Sequence, residues 1–175
     1  MMTNNNNNDI THSEEMQDSI NEPIIHHNHK KEVILLGSDH RGFDLKLIVR
    51  QHLIDLHYDV MDIGTHDKER CDYPNIAKSL VKTMDHKKGI LICGSGFGMS
   101  ITANRHKGVH AVTPRTVEET IISRQHGNVN VLCIGSDFTA DVEAVKIVDA
   151  FLNTDYEELE TSRYSKRIKM IDDGK

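Results

Sequence analysis

Five short, largely apolar strand-like runs alternate with segments of helical spacing, and this alternation limits the fold more than any other feature. Val33 to Gly37 stops at Ser38-Asp39-His40-Arg41-Gly42, after which Leu45, Ile48, Val49, Leu53 and Leu56 recur at helical intervals. Tyr58 to Ile63 reads as a second strand, and Ile76 to Met84 as a helix opened by Pro74. Ile90 to Cys93, Val109 to Val112 and Val129 to Ile134 complete the strands. Helical segments lie between and after them: Met99 to Asn104, about Pro114 to His126, the run through Val142, Val145, Val148 and Leu152, and roughly Glu158 to Ile171. Strands without a polar face belong in a parallel sheet covered by helices on both sides. The predicted class is therefore α/β, with a five-stranded parallel sheet as the middle of three layers.

The 175 residues suffice for one domain with a real core and are few for two. Residues 1–31 differ in kind: Asn4 to Asn8 form a homopolymer and polar residues dominate the remainder, so this stretch is expected to be a disordered extension preceding a single domain over 32–175. His26-His27-Asn28-His29 lacks cysteine or carboxylate partners at ligand spacing and reads as solvated tail, not as a metal site. A formal charge of −6 and the absence of tryptophan argue against nucleic-acid binding, and no apolar run approaches a membrane span. Three cysteines without C-x-x-C pairing, and no leader-like start, make a reducing cytoplasmic setting the expectation.

Gly89-Ile90-Leu91-Ile92-Cys93-Gly94-Ser95-Gly96-Phe97-Gly98-Met99-Ser100 carries the chemistry. A strand ends in a cysteine and passes at once into three alternate glycines and a helix start. Alternate glycines let successive N–H groups converge on one concavity, and the helix start adds unpaired donors and a positive dipole end. A thiol at the lip of such a nest is favoured as thiolate. Cys93 thus reads as a nucleophile or base beside an anion hole, with core packing the alternative. Three familiar turns fail on spacing. A dinucleotide fingerprint needs its third glycine one place later, a cysteine phosphatase loop needs arginine at Met99, and a hydrolase elbow needs glycine at Cys93. In a sheet of this kind ligands bind beyond the carboxyl ends of the strands, where strand one delivers Asp39-His40 and strand three delivers Cys93-Gly94-Ser95. Asp39 can equally cap the following helix, and His126 can end its helix with Gly127 as the left-handed residue.

Taken in order, Gly37 to Gly42, Asp72-Tyr73-Pro74, Gly89 to Gly96, Ser123-Arg124-Gln125-His126 and Asn130-Val131-Leu132 resemble the ribose-5-phosphate isomerase B family, which includes galactose-6-phosphate isomerase subunits. The resemblance covers Val33 to about Ile171. It implies a Rossmann-like fold, no metal or cofactor, and a homodimer or dimer of dimers whose active sites are completed across the subunit interface. It also implies interconversion of an aldose phosphate and its ketose through an enediolate. By motif, Cys93 resembles the base, Ser95 and the amides of Gly94, Gly96 and Gly98 the anion hole, and Asp39 the partner of the sugar hydroxyls. His126 resembles the ring-opening group reaching in from the neighbouring subunit, His40, Arg163 and Arg167 the phosphate contacts, and Tyr73 a pocket wall. Arg163 and Arg167 share one helix face, and two guanidiniums suit a dianionic phosphate. Two positions depart from the family pattern: Gly127 follows His126 where asparagine is usual, and Asp137 stands after Gly135-Ser136 where many members carry a phosphate-holding arginine. Ribose 5-phosphate is the expected substrate. A six-carbon sugar phosphate, or phosphate binding without catalysis, are the alternatives.

Overall fold

The computed structural model describes residues 32–157 and 162–174. The expected disordered extension, with its histidine cluster, and the expected start of the last helix at Glu158 lie outside them. The strands are β1 (Val33–Ser38), β2 (Asp59–Gly64), β3 (Gly89–Cys93), β4 (Ala111–Val112) and β5 (Val131–Gly135), and the helices are α1 (Phe43–Asp55), α2 (Tyr73–Thr83), α3 (Phe97–Ala103), α4 (Val117–Gly127), α5 (Asp141–Asn153) and α6 (Arg163–Asp173). All strand pairs are parallel, in the order β2-β1-β3-β5-β4. The chain leaves neighbouring β1 and β3 in opposite directions, which opens a crevice at their carboxyl ends.

Side-chain alternation along the strands divides the core into two layers. Ile34, Leu36, Ile90 and Ile92 pack with Leu45 and Val49 of α1 and Ile147 and Phe151 of α5. Leu35, Leu91, Cys93 and Cys133 face the other way, onto Leu80 of α2 and Met99 of α3. This is the predicted three-layer architecture.

Element boundaries shift for identifiable reasons. β4 is two residues long because Val109 turns back to His106 and the His110 amide donates to the Asn130 side chain instead of joining the ladder. α4 starts at Val117, not Pro114, because Thr116 caps it, Oγ1 accepting from the Glu119 amide at 3.2 Å. α6 starts at Arg163 behind Ser162, whose Oγ accepts from the Tyr164 amide. The left-handed residue that ends α4 is Asn128, at φ 44°, whereas Gly127 belongs to the helix; this corrects the expectation for Gly127.

A buried charge on the apolar face of α1 escapes the hydrophobic pattern. Lys46, fully buried on α1, donates to both carboxylate oxygens of Asp62 at 2.8 Å and to the Thr65 carbonyl. It ties α1 to β2 and to the loop beyond it.

Candidate active site

Three loops leave the carboxyl edge of the sheet side by side, since Ser38 pairs with Ile92 and Cys93 with Gly135. The central one holds the thiol. Cys93 is 4% exposed, and its Sγ accepts a hydrogen bond from the Gly96 amide at 3.1 Å. Gly96 reaches that geometry at φ 77°, where a β-carbon would lie 2.5 Å from Thr113 Cγ2; no other residue type fits both demands. The first intrahelical bond of α3 runs from the Ser100 amide to the Gly96 carbonyl, so the amides of Phe97, Gly98 and Met99 precede it and add to the donor array. Ser95 lies half-buried in the turn. Gly98 falls inside α3, with the Tyr73 ring so close that a β-carbon would meet its Cζ at 2.4 Å. Tyr73 and Gly98 therefore form one wall of the turn. The chain's other core thiol is of a different kind: burial, with a smaller contribution from Cys93, pushes Cys133 far above the ordinary thiol range.

On the β1–α1 loop Asp39 leads into α1, whose cap position is Gly42 and not Asp39, which corrects the capping alternative. Asp39 Oδ1 accepts from the Arg41 and Gly42 amides at 2.9 and 3.0 Å, so the side chain shapes the loop while sitting at the crevice. His40 is oriented from the loop before α2: the Cys71 amide donates to His40 Nδ1 at 3.4 Å. An Nδ1 that accepts leaves the proton on Nε2, so His40 offers a donor on its far side. Nothing in the sequence pairs these two residues.

The remaining predicted residues gather elsewhere. α4 runs from the carboxyl end of β4 back to the amino end of β5, so His126 stands near Val131, which pairs with Gly89, and not near Cys93, which pairs with Gly135. The two ends are four residues apart along β5, about 13 Å at the strand rise. At this far edge the His126 ring stacks on Tyr164, with centroids 3.9 Å apart and planes 7° from parallel. Arg163 lies over the same tyrosine, 4.9 Å from its centroid, and donates to its hydroxyl at 2.8 Å; Arg167 is exposed one turn on. Arg124 buries its guanidinium against the Thr154 and Val129 carbonyls and the Phe151 ring, and fixes the end of α4. Burial lowers its pKa. Ile168 and Ile171 of α6 line a cavity of about 210 Å³ with His110, Ala111 and Val129, and His110 Nε2 holds Asp172 at 3.0 Å. One chain thus places Cys93 at the carboxyl margin of its sheet and groups His126 with Tyr164 and Arg163 toward the opposite margin.

The ribose/galactose isomerase family model matches residues 34–171. The chain belongs to the ribose/galactose isomerase family. It is 39% identical over 143 residues to a probable ribose-5-phosphate isomerase B from Mycoplasma genitalium, covering 79% of this chain and 92% of that protein. To the ribose-5-phosphate isomerase B of Escherichia coli it is 39% identical over 141 residues, covering 79% and 93%. Among solved structures, this isomerase-family chain superposes on the Mycoplasma genitalium ribose-5-phosphate isomerase B with bound ribulose-5-phosphate at a TM-score of 0.78, with 37% identity and 83% and 97% of the two chains covered. It superposes on a ribose 5-phosphate isomerase from Thermotoga maritima at the same score, with 36% identity and 83% and 99% covered. In this family member no helix among the described residues is long and apolar enough to cross a membrane, and no group of metal-ligating side chains occurs among them.

Proposed function

We propose that this chain interconverts D-ribose 5-phosphate and D-ribulose 5-phosphate through an enediolate, as a cytoplasmic homodimer with two shared active sites. The observation that carries the reading is the Cys93 sulfur accepting from the Gly96 amide inside a turn of converging donors. In the opened sugar, the Cys93 thiolate takes the proton from C2. The electron pair moves into the C1–C2 bond and leaves negative charge on O1, opposite the amides of Gly94 to Gly98 and the Ser95 hydroxyl. The thiol then returns the proton to C1, the C2 carbonyl forms as O2 gives up its proton, and that proton passes, directly or through solvent, to O1, which becomes the C1 hydroxyl. Donors aimed at the developing oxyanion are each worth about a hundredfold or more in rate. Asp39 and His40 face the sugar from the neighbouring loop. His126 opens the ring, and Arg163 and Arg167 hold the phosphate, from the other subunit.

Mixing two inactive variants tests the shared site. Cys93→Ala and His126→Ala are each expected to be nearly dead as homodimers. After unfolding and refolding together, about half of the dimers pair one of each, and each such dimer has one intact site, so about a quarter of the wild-type rate returns. A mixture as dead as its parents overturns the two-subunit site. Alkylation gives a second check: iodoacetamide is expected to abolish turnover, and saturating sugar phosphate to slow the loss. A fully alkylated Cys93 in an active enzyme would refute the base. Comparing kcat/KM for five- and six-carbon phosphates settles the sugar.

A further inference from the structure

A guanidinium and a carboxylate meet directly above the turn that holds the thiol. Arg41, on the β1–α1 loop, donates from Nη2 to Asp137 Oδ2 at 2.5 Å, across 96 residues of sequence. Both stand against Gly94: a β-carbon there would come within 2.7 Å of Arg41 Nε and 2.8 Å of Asp137 Oδ2. The loop that carries Asp137 is already anchored without the pair. The Ser136 amide donates to the Cys93 carbonyl at 2.9 Å, the Asp137 amide to the Gly94 carbonyl at 3.0 Å, and Ser136 Oγ to the Arg41 carbonyl at 3.1 Å.

We infer that Arg41 is a phosphate-binding residue of this chain, its guanidinium clamped over Gly94 by Asp137, which acts as a positioning residue. This rests on the isomerase reading. The Arg41 and Asp137 side chains are 58% and 36% exposed, and ion pairs that open to water add little to stability, so fastening the loops does not explain the pair. A carboxylate alone at the mouth of a site for a dianion would repel it; paired with Arg41 it is neutralised. A guanidinium has five N–H donors, and among the described residues Asp137 engages Arg41 through Nη2 alone. Tethering a long side chain in advance also spares the ordering cost that a free arginine meets on binding. The acid at position 137 thereby becomes the anchor of a cation supplied by another loop.

Steady-state kinetics with ribose 5-phosphate, inhibition by inorganic phosphate and thermal melting, on wild type, Arg41→Ala, Arg41→Lys, Asp137→Ala and the double alanine variant, test the inference. Loss of a charge-assisted contact predicts a KM about 10- to 100-fold higher for Arg41→Ala, with kcat within about threefold and the phosphate inhibition constant raised in parallel. Arg41→Lys should recover part of the loss. Asp137→Ala should raise KM less, and the double variant should be no worse than Arg41→Ala, as expected of two groups acting as a unit. Unchanged KM and phosphate inhibition in Arg41→Ala, or tighter binding in Asp137→Ala, would overturn the inference. A folded wild type inactive on every sugar phosphate would sink the isomerase reading instead, and phosphate titration calorimetry on the same variants would still decide the role of Arg41.

Discussion

Cys93→Ala is expected to purify as a folded protein and to turn over ribose 5-phosphate about a hundred to ten thousand times more slowly than the wild type, the range that general-base catalysis contributes. The sulfur makes one hydrogen bond, from the Gly96 amide, and the alanine variant keeps the backbone of the turn. Its stability should therefore fall by about 1 kcal/mol, or roughly 2–4 °C in melting temperature for a domain of this size. Two readouts separate chemistry from folding. Ketopentose formation should collapse, and deuterium at C2 of the aldose should cease to exchange with solvent. Cys133→Ala is the matched control. That thiol is completely buried in the same core layer and held protonated by desolvation, so its removal should cost stability and leave turnover intact. Turnover of Cys93→Ala within tenfold of wild type would dismiss the thiolate as base.

The largest stability effect is expected at Lys46. Lys46→Ala removes the cation that satisfies Asp62 and the Thr65 carbonyl; with the lysine buried and the carboxylate 24% exposed, the loss should approach, from below, the roughly 3–5 kcal/mol that breaking a fully buried pair costs. Against a usual total of about 5–15 kcal/mol, this shifts the urea midpoint strongly and threatens folding outright. Lys46→Met with Asp62→Leu should recover only part of the loss. Apolar replacement relieves the unpaired charge, but the Thr65 carbonyl and the Gly64 amide, which Asp62 Oδ1 accepts from at 2.9 Å, would still lack partners. A loss below about 1 kcal/mol in Lys46→Ala would mean that water replaces the ammonium.

The fold was legible where the physics is local. Ile34, Leu35 and Leu36 are all buried because the sheet is covered on both faces, and an unbroken apolar run announces that directly. The Cys93 turn was legible for the same reason, being encoded within four consecutive residues. Pairings across the chain were not. Arg41 with Asp137, Lys46 with Asp62 and His126 with Tyr164 depend on strand order and on which helix crosses which face, and residue spacing records neither. Lys46 did leave a trace, since it sits beside Leu45 on the stripe that Val49 and Leu53 continue. A lysine on an apolar stripe predicts a buried counter-charge without saying where it is. His126 illustrates the limit most clearly. The motif singles out the residue and the resemblance assigns it to a neighbouring subunit's site, but where it lies in its own chain follows from the course of α4.

That separation bears on how the isomerase would behave at low concentration. On the proposed two-subunit site, a protomer on its own would hold a proton acceptor for one reaction centre and a ring-opening histidine for another, so neither centre would be whole. Dilution that dissociates the pair would silence both without unfolding anything, and a rising sugar-phosphate level, by bridging the two margins, would pull the halves back into register.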